Sequence, residues 1–315
     1  MPVTKLRGII VKEVKPKTLK YKTDEWRAAY ILLIPAFVGL TFLTYGPLLA
    51  VFGLSFFEMR AGGMPSFIGL QNYVQLFTID PFFMDSLKAT VYFTILAVAG
   101  SMVYSLVMAM LLNRKIPARG FFRALFFLPY MLPAVAVYLG WDWLYRTDNF
   151  GLFNYILNNW FGIRNILFLS HHAWVVPSLA FIAVWLCGNM IVIFLAGLQN
   201  VPRVYHEAAE IDGANTWQRF WNITIPCMSP IIFYNLLMSI IANLQVVTPA
   251  LALTQGTPGN ASRFITFLMY DYAFRRGHLG LASAVSFVLF IIIGIFTSIL
   301  FATSKMWIFY EGEKK

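Results

Sequence analysis

Six stretches of about 18 to 30 residues contain no Asp, Glu, Lys, Arg or His, and nothing constrains this 315-residue chain more. They run over approximately residues 28–57, 89–112, 124–141, 173–198, 228–253 and 281–303. About 20 apolar residues suffice for a helix to cross bilayer hydrocarbon. A backbone facing lipid must also satisfy its own hydrogen bonds, which a helix does. The runs therefore predict an all-α membrane protein with six transmembrane helices over residues 28–304. A basic segment, 1–27, precedes them and a short tail, 305–315, follows. Composition agrees: 12% of residues are charged, against about 25% in soluble domains. Prolines inside the runs, among them those at 35, 47, 129, 133, 230 and 249, are tolerable where neighbouring helices take up the freed carbonyls.

Orientation follows from where Lys and Arg fall, because cytoplasmic loops carry their excess. Eight lie in the N-terminal segment, and Arg114, Lys115, Arg119 and Arg123 follow the second span. Arg203 and Arg219 follow the fourth, and Lys305, Lys314 and Lys315 close the chain, giving 17 on one side against seven on the other. Both termini are predicted to be cytoplasmic. The formal charge of +10 then belongs to membrane flanks and does not imply nucleic acid. Cys187 and Cys227 lack metal-ligand spacing and read as small buried hydrophobes. Adjacent His171 and His172 have no carboxylate cluster beside them, so no metal site is expected. The first apolar run is too long for a signal-peptide core, and no cleavable signal is expected. Two outward loops, 65–77 and 150–163, are rich in aromatics and Asn, and the second reads as an amphipathic helix lying in the interface.

One segment breaks the apolar pattern: HEAAEIDGANTWQRFWNITIP, residues 206–226, inside a predicted cytoplasmic loop 199–226. Asn200 as N-cap and Pro202 in the first turn predict a helix running to Asp212. Gly213 supplies the residue that lets it stop sharply. Asn215 and Gln218 have capping-box spacing, predicting a second short helix to about Thr224, closed by Pro226. Ala208 and Ala209 allow close approach of another surface, and Glu207 and Glu210 offer carboxylates to a partner.

The full spacing is Glu207-Ala208-Ala209, three residues, Gly213, nine residues, Ile223, and Pro226. It resembles the EAA loop of the membrane subunits of binding-protein-dependent, type I ABC importers, with Ile225 where that family's pattern has Leu. Asp212, Gly213 and Ala214 match the wider motif, and the position before the penultimate span matches as well. The resemblance implies a type I importer permease fold in a bacterial cytoplasmic membrane. It implies that Glu207, Ala208, Ala209, Asp212, Gly213 and Pro226 form a coupling helix and corner seated on an ATPase. The implied partners are a second, homologous membrane subunit, an ATP-binding ATPase dimer and an extracytoplasmic solute-binding protein. No GxxxxGK[ST] occurs here, so no cofactor is expected in this chain, and ATP and Mg would be held by the partner ATPase. The chain is expected to be a transport subunit and not an enzyme.

Other segments are similar to the carbohydrate-uptake branch, as in the maltose importers: FIGLQNYVQLF, RALFFLPYMLPAVAVYLGWDWLY and LTQGTPGNAS, the last with Thr257 in a Gly position. Aligned on it, Ser239 and Asn243 match a serine and asparagine that contact sugar in that branch, and Asn189 lies near a contact region. The residues point the same way by themselves. The spans lack the ionisable groups that ion-coupled carriers keep, but hold neutral Asn189, Asn235, Ser239, Asn243, Gln245 and Thr248. Ser239, Asn243, Gln245 and Asn189 are the candidate substrate-binding residues for a sugar or oligosaccharide. Ser and Asn also hold membrane helices together, which is the competing account of them. A permease for glycerol phosphate or a polyamine, an ion-coupled carrier and an intramembrane enzyme are the alternatives. Charged span linings, intramembrane carboxylates and an HExxH motif, respectively, would favour them, and the spans contain none of these.

Overall fold

The structure, a computed structural model, describes residues 23–148, 150–163 and 165–309. Most of the basic N-terminal segment, Arg164, and Lys314 and Lys315 of the tail therefore lie outside the described residues. The chain divides into two units, Met1–Ala50 and Val51–Lys315. As described, the first is helical throughout, with α1 (Thr23–Gly39), a π-helical stretch over Leu40–Tyr45, and the start of α2 (Gly46–Leu54).

In the second unit, β1 (Phe57–Glu58) pairs antiparallel with β2 (Ser66–Phe67), a small hairpin that the apolar pattern does not announce. The short α3 (Gln71–Val74) follows. Its buried Asn72 donates to the carbonyls of Ser55 at 2.8 Å and Phe57 at 3.0 Å. The Tyr73 hydroxyl donates to Ser55 Oγ at 2.6 Å. The Asn-Tyr pair of this loop is thus an internal clip.

The next helix, α4 (Phe83–Asn113), is the longest, and α8 (His172–Trp185), α9 (Gly188–Asn200) and α12 (Ile225–Leu244) all pack on it. Its buried positions include Ala97, Ser101, Ser105 and Ala109, one small residue every fourth position. Such a stripe lets helix axes come close, and in lipid that proximity replaces the hydrophobic drive of water. A Cβ on the adjacent Gly100 would lie 2.6 Å from Val184 Cγ2 of α8. Asp80 starts the helix by accepting from the amides of Phe82 at 2.7 Å and Phe83 at 3.0 Å. Helix α4 therefore begins six residues before the predicted span, in a polar turn carrying Asp85 and Lys88.

Two expected straight spans are broken. The third divides into α5 (Arg119–Met131) and α6 (Ala134–Tyr145), bent by 99°. Pro133 has no amide to donate and forces Leu132 out of helical geometry, to φ −74° and ψ 148°. The fourth divides into α8 and α9 at a 49° bend. There Gly188 meets the α5 backbone: a Cβ would stand 2.8 Å from Phe126 O and 3.1 Å from Phe127 Cα. The fifth stops at Leu244, nine residues short of the expected 253, because Val246-Val247-Thr248 before Pro249 disfavours continued helix. The sixth, α14 (Leu279–Trp307), exceeds its expected bounds at both ends. Among the described residues, four helices are long and apolar enough to cross a membrane, and each bent pair counted as one span brings the number to six.

The remaining α-helices are α7 (Leu152–Phe161), α10 (Arg203–Ile211), α11 (Thr216–Arg219) and α13 (Ile265–Tyr270). Helix α7 is the amphipathic segment expected in the second aromatic loop. Its Asn154 is buried and clips the loop, donating to Arg146 O and Ile166 O and accepting from Ile166 N at 2.7 Å. After α13, Asp271 gathers Arg263, Arg275 and Arg276, the last at 2.9 Å. Tyr272 donates to Asp80, and burial, then that bond, hold its phenol well above the usual range, so it stays protonated.

The Gly188 contact is with backbone, whereas a Cβ on Gly197 would meet the flexible tip of Ile231 at 2.5 Å. Gly188→Ala is expected to cost about 1–3 kcal/mol and Gly197→Ala less. Melting midpoints of the two variants in one detergent check the order.

Candidate functional site

The acidic segment forms a helix–corner–helix. Helix α10 ends in a complete Schellman motif: the Gly213 amide donates to Glu210 O at 3.1 Å and the Ala214 amide to Ala209 O at 2.9 Å. Gly213 has φ +80°, which an L side chain adopts only at a cost. Beyond the corner, Asn215 and Gln218 make the capping box that starts α11, with side chain-to-amide bonds at 2.9 and 2.8 Å.

Three expectations need correction. Asn200 is the last residue of α9 and Pro202 stands at the N-cap of α10, because α9 keeps its helical bonds to the end of its apolar run. Pro226 does not close the second helix. A π-helical stretch, Phe220–Thr224, carries α11 into α12, so helix is continuous from Thr216 to Leu244 with Pro226 in the first turn of α12. The wider turn is how the helix passes a residue that has no amide to donate. Glu210 is paired within the segment: Arg219 Nη1 donates to its Oε2 at 3.1 Å, tying α11 back to α10.

No residue of α10 is buried. Val204, Glu207, Ala208 and Ile211 stand at i, i+3, i+4 and i+7 and share one face. Val204 is 68% exposed and Ile211 87%. Glu207 has no ion pair or hydrogen bond among the described residues. Asp212, the C-cap, is exposed, and Ala209 is half-buried towards the body. The sequence reading missed Val204 and Ile211. Their exposure depends on which face of α10 turns inward, though their spacing around Glu207 was visible. On the inward side His206, Thr216 and Arg219 line a cavity of about 300 Å³ against Asn113 and Arg114 at the end of α4.

The second candidate set lies on α12, towards the opposite end. Asn243 Nδ2 donates to Ser239 O at 2.8 Å and Ser239 Oγ at 3.3 Å. The two are brought together as expected, and no hydrogen bond joins either to a neighbouring helix among the described residues. Asn235, one turn earlier, completes the line; it is buried and its Nδ2 has no partner. Leaving a buried amide unpaired is costly, and among the described residues the Ser239–Asn243 pair bonds only to its own helix. Gln245 is the exposed C-cap of α12, not part of a continuing helix, and Asn189 is half-buried just after the α8–α9 break. No hydrogen bond links either to the Ser239–Asn243 pair. His171 Nδ1 accepts from the Ala173 amide at 3.2 Å and caps α8.

Comparison with known proteins agrees with this geometry. Residues 101–306 match the family described as binding-protein-dependent transport system inner membrane component. The trehalose/maltose transport system permease protein MalF of Thermococcus litoralis is 30% identical, over 89% of this chain and 94% of its own. The multiple sugar-binding transport system permease protein MsmF of Streptococcus mutans is 35% identical, over 76% of this chain and 81% of its own. In fold the chain resembles a bacterial ABC transporter that imports the acidic polysaccharide alginate, with TM-score 0.76 and 22% identity over 90% of this chain and 96% of that one. The chain belongs to the family of binding-protein-dependent transport system inner membrane components.

Proposed function

We propose that this chain is one of two membrane subunits of an ATP-driven saccharide importer, with both termini and the α10–α11 corner in the cytoplasm. The observation that carries this is the unpartnered face of α10. A short helix that presents two aliphatic anchors one helical face apart, with an unpaired carboxylate between them, suits a groove on another protein. Burying Ile211 and Val204 there contributes about 1.5–3 kcal/mol each, and Glu207 supplies a charge-assisted bond. The occupant of that role is an ATPase dimer, which holds the ATP and Mg; this chain performs no covalent chemistry.

Continuity of helix from Thr216 to Leu244 gives the corner a lever. Displacement of α10 on nucleotide-driven closure of the ATPases is passed by the capping box and the Glu210–Arg219 pair into α12. That helix carries Ser239 and Asn243, so the docking surface and the solute-binding residues move as one body. Solute arrives from an extracytoplasmic binding protein and passes between this chain and its membrane partner by alternating access. A saccharide is favoured because the polar groups in the spans are neutral, and because the similar MalF and MsmF proteins are named for sugar transport. The six uncharged runs have neither the cationic lining that glycerol phosphate calls for nor the anionic lining that a polyamine does.

Ile211→Asp and Glu207→Lys are each expected to lower recovery of the ATPase with the membrane subunits at least tenfold while leaving the membrane fold intact; unaltered recovery and uptake would contradict the docking assignment. Gly213→Ala meets no neighbour, so its cost is conformational alone, about 1–2 kcal/mol; faster amide exchange in α10 of that variant checks it. Asn243→Leu is expected to cut uptake roughly tenfold without loss of the ATPase, and wild-type uptake would remove Asn243 from the solute path.

A further inference from the structure

A polar recess of about 490 Å³ lies at the end of α4 remote from the coupling corner. Asp85, Lys88, Ala89 and Tyr92 line it from α4, His172, Ala173 and Val176 from α8, and Gly259, Asn260 and Ala261 from the loop before α13. The α4 residues stand at i, i+3, i+4 and i+7, so one helical face supplies them all. From Asp85 to Asn113, which borders the cavity beneath α10, α4 rises about 42 Å at 1.5 Å per residue. With the corner in the cytoplasm, the recess is at the extracytoplasmic mouth.

Its chemistry is specific. Asp85 and Lys88 are three residues apart on one helix, the spacing of an ion pair, yet none forms between them in this structure. The side chains of Lys88, His172 and Asn260 likewise make no hydrogen bond or ion pair among the described residues. Tyr92 stands half-exposed beside them, at 48%. The loop that presents Asn260 is held firmly. Ser262 Oγ bonds Thr254 Oγ1 at 2.8 Å and Thr257 O at 2.7 Å, Thr257 Oγ1 donates to Thr254 O at 2.6 Å, and the Ile265 amide donates to Thr90 Oγ1 of α4 at 2.8 Å. Asn260 itself sits at φ +66°, a left-handed conformation that Asn adopts more readily than most residues.

We infer that this recess is a saccharide subsite in which solute lodges after leaving the binding protein and before reaching Ser239 and Asn243. The inference rests on the saccharide reading above. A carboxylate takes hydrogen bonds from neighbouring hydroxyls, an ammonium and a side-chain amide give them to ring and hydroxyl oxygens, and an aromatic face covers the C–H face of a pyranose. One positive and one negative group, held apart and each unpaired, suit a neutral polyhydroxylated ligand better than an anion or a polycation. The volume lies within the usual 300–1,000 Å³ of small-molecule sites.

The test uses the whole transporter, with both membrane subunits and the ATPases in proteoliposomes and the binding protein supplied at the extracytoplasmic face. Maltose, trehalose and raffinose are the ligands tried, and uptake is measured beside binding-protein-stimulated ATP hydrolysis. Tyr92→Leu and Asn260→Ala are each expected to lower uptake about tenfold with hydrolysis within twofold of wild type, so that more ATP is spent per saccharide imported. Tyr92→Phe, which keeps the ring face, is expected to import normally. Wild-type uptake in both Tyr92→Leu and Asn260→Ala overturns the subsite alone, as does an equal fall in uptake and hydrolysis, which is the mark of a damaged scaffold. Failure of the wild-type transporter to import any of the three sugars, with hydrolysis still stimulated, overturns the subsite together with the saccharide reading.

Discussion

The structure of the second unit depends on how closely α4 can be approached. In lipid, apolar side chains gain little by turning from tails to one another, so helix association rests on close packing and on polar contacts between helices. The Ala97, Ser101, Ser105 and Ala109 stripe provides that closeness along about three turns of α4, with α8, α9 and α12 packed on the same helix. Ser105 returns its hydroxyl to Ser101 O, at 2.5 Å, so that polar group is satisfied within its own helix. Three clusters of buried side chains then follow α4 from end to end: Phe83 with Leu244 and Ile265, Phe93 with Leu179 and Ile182, and Leu112 with Phe194 and Met228. Enlarging a residue of the stripe would move several helices at once.

Against that central post, the broken helices acquire a purpose. At the 49° bend, Gly188 lets α9 touch the α5 backbone at Phe126 and Phe127, so one bent pair braces the other. Helix α12 is different. It continues the helix that starts at the capping box of the coupling corner, passes Pro226 by a π-helical stretch, and ends beside Asn243. On the proposed reading, the ATPase acts on one end of this rod and solute meets the other, while α4 offers the surface along which it shifts. Function is thereby divided between a rigid post and a jointed lever.

Much of this was legible in the sequence, for identifiable reasons. Uncharged runs located every span, since the cost of charge in hydrocarbon leaves little room for alternatives. The Gly213 corner and the Asn215–Gln218 box were readable because local backbone geometry imposes local residue choices. What failed to show was set by neighbours. Pro129 and Pro133 look alike in sequence, yet α5 runs through the first and breaks at the second. Glu207 and Glu210 look equivalent until folding places Arg219 beside only one of them. Asn72 and Asn154 lie in outward loops rich in aromatics and Asn, and both prove to be buried clips. The recess at the mouth could not be foreseen, because it joins residues 85–92, 172 and 260 from three distant parts of the chain.

The central claim is that α10 seats in a partner that hydrolyses ATP. Amide hydrogen exchange of this chain, measured with and without its ATPase subunits, tests it most directly. The account predicts strong protection of the α10 amides, from Val204 to Ile211, on assembly, while the amides of residues 259–261 at the other end exchange as before. Equal exchange in α10 with and without the ATPase would contradict it.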